Sequence, residues 1–149
     1  MTGLFGKSQS GFTLVELIMV IVIMGVLSAT AVSRFNRSAF DIAAATGELV
    51  QAIRYAQDKS MSHSGATNFQ IAITGTGYTV TQGGAAIIHP VEGTLGYSNT
   101  WSDIALDTTA TISFDSYGNP GLASPLTITL SRGPDISVVT VENVTGFVR

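Results

Sequence analysis

Gly11-Phe12-Thr13-Leu14-Val15-Glu16-Leu17 opens the decisive stretch of this chain, and LIMVIVIMGVLSATAV, from Leu17 to Val32, continues it. Ser28 and Thr30 are the polar groups of that continuation, and their hydroxyls can bond back to helix carbonyls. Counted from Phe12 the run is about 21 residues, or roughly 31 Å of helix, which matches the hydrocarbon core of a bilayer. One acidic residue, Glu16, sits in its first turns. A carboxylate is expensive in lipid, so a chain that carries one there is expected to use it, and its counter-charge is the feature to find.

Lys7 precedes the run and Arg34 and Arg37 follow it. Positive charge on both sides leaves the orientation undecided by charge alone. A secretory signal peptide is the rival reading, with Ser28-Ala29-Thr30-Ala31 as its cleavage site. The order of features speaks against it, because the small residue Gly11 comes before the apolar core and a charge lies inside that core. With these residues in place, the segment resembles the N-terminus of a type IV pilin or pseudopilin precursor. The resemblance implies a leader over 1–11, cut between Gly11 and Phe12 by a prepilin peptidase, and N-methylation of the new Phe12 amine. Gly11 has no side chain, which lets a peptidase approach the bond closely. The resemblance also implies a cytoplasmic leader, a single inner-membrane pass and a head on the periplasmic side. It supplies a counter-charge for Glu16 as well, the N-terminal ammonium of a neighbouring subunit. Such a buried pair is costly to desolvate and reads as a register device rather than as glue. From the residues alone, snorkelling of Glu16 to the interface remains the alternative.

No proline occurs before Pro90, so the helix is expected to continue past Val32 through an amphipathic half over 34–64. Ile42, Ala45, Leu49, Ala52, Ile53 and Ala56 recur at spacings of three and four and form one apolar stripe. Asp41, Glu48, Gln51, Arg54, Gln57 and Asp58 occupy the other face. A first half that is apolar all round and a second half that is amphipathic suit a helix leaving a membrane to pack on a head. From Phe12 to Ser62 it would be roughly 75 Å long. Many pilins have proline where Ser33 stands here, so a kink would have to come from Gly25.

Beyond Gly65 the period becomes two. Phe69, Ile71 and Ile73, then Tyr78 and Val80, predict a hairpin with its turn at Gly75-Thr76-Gly77. The Gly-rich 83–107 stretch is expected to be a variable loop with one or two short strands. Strands follow over Thr111–Phe114, Leu126–Leu130 and Ile136–Val141, with turns at Ser116–Gly121 and Arg132–Asp135. A long helix followed by antiparallel strands reads as α+β, the helix stripe lying on the sheet and residues 65–149 forming a β-rich head. Ile53–Gln57 with Ser62–Gly65, Ile112–Asp115 with Gly118, and Val144–Arg149 resemble the GspH/FimT-like branch of minor pilins.

The 149 residues amount to about one domain. Absence of cysteine excludes a disulfide framework, a thiolate metal site and a Cys nucleophile. Many major pilins carry a C-terminal disulfide, so this absence leans toward a minor subunit or a secretion pseudopilin. The formal charge of −3 would become −4 on loss of Lys7, a balance that disfavours non-specific nucleic-acid binding. Some members of the branch bind DNA through C-terminal basic residues, and Arg132 and Arg149 are the candidates here, opposed by Asp135 and Glu142. Nucleic acid is therefore not expected as a partner. His63 and His89 have no second histidine at ligand spacing, and Asp103, Asp107 and Asp115 follow no calcium-loop pattern, so no metal and no cofactor is expected. Tyr97, Trp101 and Tyr117 are either a contact surface or core. No catalytic constellation is found, and the chain reads as a structural subunit, not an enzyme.

The resemblance therefore implies a minor pilin or pseudopilin, assembled into or initiating a type IV pilus-like filament, with an MSHA-type pilus as one candidate. Its implied partners are other pilin or pseudopilin subunits, the prepilin peptidase, an inner-membrane assembly platform and membrane lipid. A type II secretion pseudopilin of the GspH type and a DNA-uptake receptor pilin are the alternatives.

Overall fold

The structure, a computed structural model, describes residues 11–32, 37–63 and 68–149, with side chains in the first segment described as far as Ala29. Two units compose the chain, Met1–Asn36 and Arg37–Arg149. The leader up to residue 10, helix continuity through 33–36 with the Ser33 position, and the Ser64–Gly65 helix end all lie outside the described residues.

In the first unit, α1 runs over Leu14–Val32. Its apolar side chains, from Leu14 to Leu27, are exposed on every side, so the helix has no buried face of its own. Ser28 Oγ donates to the Met24 carbonyl at 2.7 Å, which hides its hydroxyl from an apolar surrounding. Among the described residues no helix is long and apolar enough to cross a membrane. The span expected over 12–33 extends past those residues.

In the second unit, α2 covers Arg37–Ser62. All six residues of the expected stripe, Ile42, Ala45, Leu49, Ala52, Ile53 and Ala56, are buried. Alanine in three of these places brings the helix backbone close to the strands beneath it. Two antiparallel sheets receive this face, where the sequence suggested one. The larger is built from β1 (Phe69–Thr74), β2 (Gly77–Gln82), β3 (Ala85–Ala86), β4 (Tyr97–Thr100) and β6 (Ala110–Ser113). Its order is β3-β2-β1-β6, and β4 also pairs with β2, beside Gly77–Val80. The smaller has the order β5-β7-β8, from Ala105–Leu106, Leu126–Arg132 and Asp135–Val141.

The period-two pattern sends Phe69, Ile71 and Ile73 of β1, Tyr78 and Val80 of β2, Ile128 and Leu130 of β7, and Val139 and Val141 of β8 into one core with α2. Phe114 and Val148 close it. The β1–β2 turn is shorter than expected: Gly77 belongs to β2 and pairs with Thr100. A Cβ at Gly77 would sit 2.1 Å from the Asn99 carbonyl oxygen, so glycine is what allows β4 to lie against β2. The 83–107 stretch carries three short strands rather than one or two, because β3 and β4 dock on one edge of β2 and β5 docks on β7. At the β7–β8 turn, Gly133 has φ +58° and Pro134 follows. Proline cannot adopt positive φ, so of the two favoured hairpin turns only type II′ fits.

Candidate functional site

Gly11, Phe12 and Thr13 are non-helical, and the helix begins at Leu14. The cause is local. Thr13 Oγ1 accepts the Glu16 N–H at 3.2 Å, while Glu16 Oε2 accepts the Thr13 N–H at 3.1 Å. The Thr13 hydroxyl also donates to Glu16 Oε2 at 3.1 Å. This is a capping box, in which the N-cap threonine and the glutamate three residues on satisfy each other's orphan donors. It sets the helix start and leaves the Gly11–Phe12 bond outside the helix. Phe12 is 88 % exposed, and among the described residues nothing lies within 4 Å of a Cβ built on Gly11. A peptidase would meet an open, unwound bond here.

The capping box also changes the reading of Glu16. Its carboxylate already has two local donors and lies in the first turn, where the helix dipole favours negative charge. A neighbour's ammonium would add to this arrangement rather than rescue a bare charge. The signal is present in the sequence, since Thr-x-x-Glu ahead of an apolar run is the capping-box spacing, and a reading fixed on the charge alone passes over it.

The two C-terminal arginines are both engaged, and they lie apart. Arg132 pairs with Asp41 of α2 and with Asp103, the latter at 3.3 Å. Arg149 pairs with Glu142 at 3.0 Å. Arg132 is opposite Asp135 at one end of β8, whereas the Arg149 backbone bonds Thr140 near the other. Guanidinium groups held by carboxylates offer little free charge to phosphates, and these two do not form one surface.

The other polar candidates do separate jobs. Asp107 accepts the Thr129 N–H at 2.8 Å and the Thr108 hydroxyl at 2.8 Å, and these bonds hold its carboxyl below the usual range. Asp115 accepts the Tyr117 and Asn119 amides, each at 2.9 Å, and so shapes its own turn. His63 bonds Gln82 and sits edge-on to the Phe69 ring. His89 Nδ1 accepts the Val91 and Glu92 amides, and its ring stands edge-on to Tyr97. Among the described residues no cluster of three metal-ligating side chains occurs.

Tyr97 is buried and Trp101 half-buried, both in contact with the Tyr78 ring, so these two belong to the core; Tyr117 is exposed. Tyr78 donates its hydroxyl to Glu48 at 2.8 Å, and burial followed by that carboxylate pushes its pKa far up. Burial raises Tyr97 as well.

Gln57 is the residue that ties together the segments singled out near the C-terminus. Its amide donates to the Gly118 carbonyl at 2.9 Å and to the Thr145 carbonyl at 2.8 Å. Arg54, one turn earlier, donates to the Val148 carbonyl at 3.1 Å.

A family model, the prokaryotic N-terminal methylation motif, matches residues 6–32. The match contains Gly11, Phe12 and Glu16, and it supports the resemblance of the N-terminal segment to type IV pilin and pseudopilin precursors. Comparisons with curated proteins and with solved structures each return no match.

Proposed function

We propose that this chain is a minor pilin or pseudopilin of the GspH/FimT-like branch, a structural subunit added to a helical type IV pilus-like filament. The observation that carries the proposal is the open Gly11–Phe12 bond, set by a capping box immediately ahead of a helix that is apolar on all sides. In this reading a prepilin peptidase cuts after Gly11 and the Phe12 amine is methylated. Residues 12–33 hold the subunit in the inner membrane before assembly and pack against other subunits afterwards. Glu16 sets register against the ammonium of a neighbour, and a carboxylate already fixed by Thr13 is well placed to do so without losing rotamer freedom at that moment. The second unit, with its own core, is the head.

The pairing of both C-terminal arginines with carboxylates speaks against their service in a DNA-uptake receptor. Mass spectrometry of the membrane fraction tests the first step and is expected to find a mature chain starting at N-methylated Phe12. Sheared surface filaments from a deletion strain test the second. Intact protein should restore them, and Glu16→Ala should leave them at least tenfold depleted while cleavage proceeds. Normal filaments in the deletion strain, with loss of protein secretion, would replace the pilus by a type II secretion pseudopilus.

A further inference from the structure

A pocket of about 370 Å³ lies along α2 in the head, between the helix and the Thr100–Ile104 segment. Asp41 and Glu48 are seven residues apart, two turns along one face of α2, which puts them about 10 Å apart. At the Asp41 end, Arg132 bridges Asp41 and Asp103 and offsets one of their two charges. Glu48 is different. It accepts from the Tyr78 hydroxyl and from Asn99 Nδ2, at 2.7 and 2.8 Å to its two oxygens, and these donors are neutral. Among the described residues no cation pairs with it. Three donor contacts on a carboxylate with about four acceptor sites leave Oε2 with capacity to spare. The donors hold the side chain rigid and leave its charge in place. Trp101, half-buried and braced by Tyr78, forms part of the same wall.

A half-buried, immobilised carboxylate beside an indole is the environment that binds a cation best, since the ring face and the carboxylate attract the same charge and partial desolvation strengthens both. The volume falls within the range of small-ligand pockets. We propose that this pocket binds the guanidinium or ammonium of a basic side chain presented by a partner polypeptide, with Glu48 as counter-ion and Trp101 as the aromatic wall. The inference concerns the head alone and stands whichever filament or secretion apparatus the chain joins.

Trp101 is the sole tryptophan, so its fluorescence reports on the pocket without labelling. Full-length protein in neutral detergent is titrated with N-acetylarginine amide, N-acetyllysine amide, spermidine and, as the anionic control, N-acetylglutamate amide. The expected result is a saturable change with the arginine and lysine probes, weakened by added salt and absent with the glutamate probe. Glu48→Gln should weaken the arginine probe at least tenfold, with folding checked by circular dichroism. If that variant does not fold, the exposed Asp103→Asn takes its place and should weaken the probe at least threefold. A response without saturation, an equal response to the glutamate probe, or an unchanged affinity in a folded variant would overturn the proposal. Spermidine outbinding both capped amino acids would transfer the chemistry to a free polyamine and overturn the partner assignment.

Discussion

Ser60 is a buried polar side chain at the end of α2, and its Oγ accepts the Phe69 N–H at 3.0 Å where β1 begins. Six residues separate the end of α2 from the start of β1, and this one bond fixes where the return begins. Nothing in the neighbouring sequence singles Ser60 out, because its partner is chosen by the fold. Ser60→Ala would strand a buried amide donor, and such a loss costs about 1–3 kcal/mol. Urea denaturation of the detergent-solubilised chain should show a lower midpoint with an unchanged slope. Asp107 makes a prediction in pH. Its folded carboxyl lies below its ordinary value of 3.8, held there first by the Thr129 amide and then by the Thr108 hydroxyl. A carboxyl whose pKa is lowered on folding contributes stability that is complete above its unfolded pKa, about 3.9, and that is lost as pH falls through the folded value. The thermal midpoint of Asp107→Asn should therefore fall below that of the unsubstituted protein at pH 6 and converge with it at the acid end.

At the level of elements, α2 owes its place to packing more than to propensity. Gly47 sits in its middle with open space where a Cβ would stand and φ in the ordinary range, so no contact among the described residues requires it. Gly47→Ala should raise stability by about 1 kcal/mol, the usual helix-interior difference, read as a higher urea midpoint. A stabilised head that no longer supports filaments would show that Gly47 serves a contact with another subunit. The stripe from Ile42 to Ala56 was legible because a buried helix face repeats every 3.6 residues whatever lies beneath it. The strands β1, β2, β7 and β8 were legible for the matching reason, with period two. By contrast β3, β4 and β5 are two to four residues long, too short for any period to show, and they exist because neighbouring strands offer edges.

Across the head as a whole, two sheets share one core because α2 reaches both, and the C-terminal return locks the arrangement. Val148 bridges to Val141, and the Thr140 and Arg149 backbones exchange two hydrogen bonds, at 2.8 and 3.1 Å. Gly146 makes that return with φ +66°. A Cβ there would lie 2.6 Å from Gln57 Nε2 and 2.7 Å from the Gly118 carbonyl oxygen. Gly146→Ala therefore adds both backbone strain and a clash at the point where helix, β6 turn and C-terminus meet. The expected outcome is faster hydrogen exchange at the Thr140 and Arg149 amides, by at least tenfold, with the β1–β2 hairpin unchanged. Exchange that rises equally everywhere would mean that the clamp is global rather than local.

The sequence by itself determined the features written in neighbouring residues. These are the apolar run and its carboxylate, the helix stripe, the alternating strands, the glycine–proline turn at 133–134, and the capping box at Thr13 and Glu16, whose spacing is present in the sequence though attention to the charge alone misses it. Each depends on residues within a turn or two, so local periodicity and local hydrogen bonding suffice. Tertiary structure alone decided what depends on residues far apart in the chain. Glu48 meets Asn99 across 51 positions, and Arg132 meets Asp41 across 91. Those meetings paired the arginine that had been a candidate for phosphate and built a pocket beside Trp101. No composition or spacing predicts them, because they follow from which sheet edge each short strand finds, and that choice is made by the packed core.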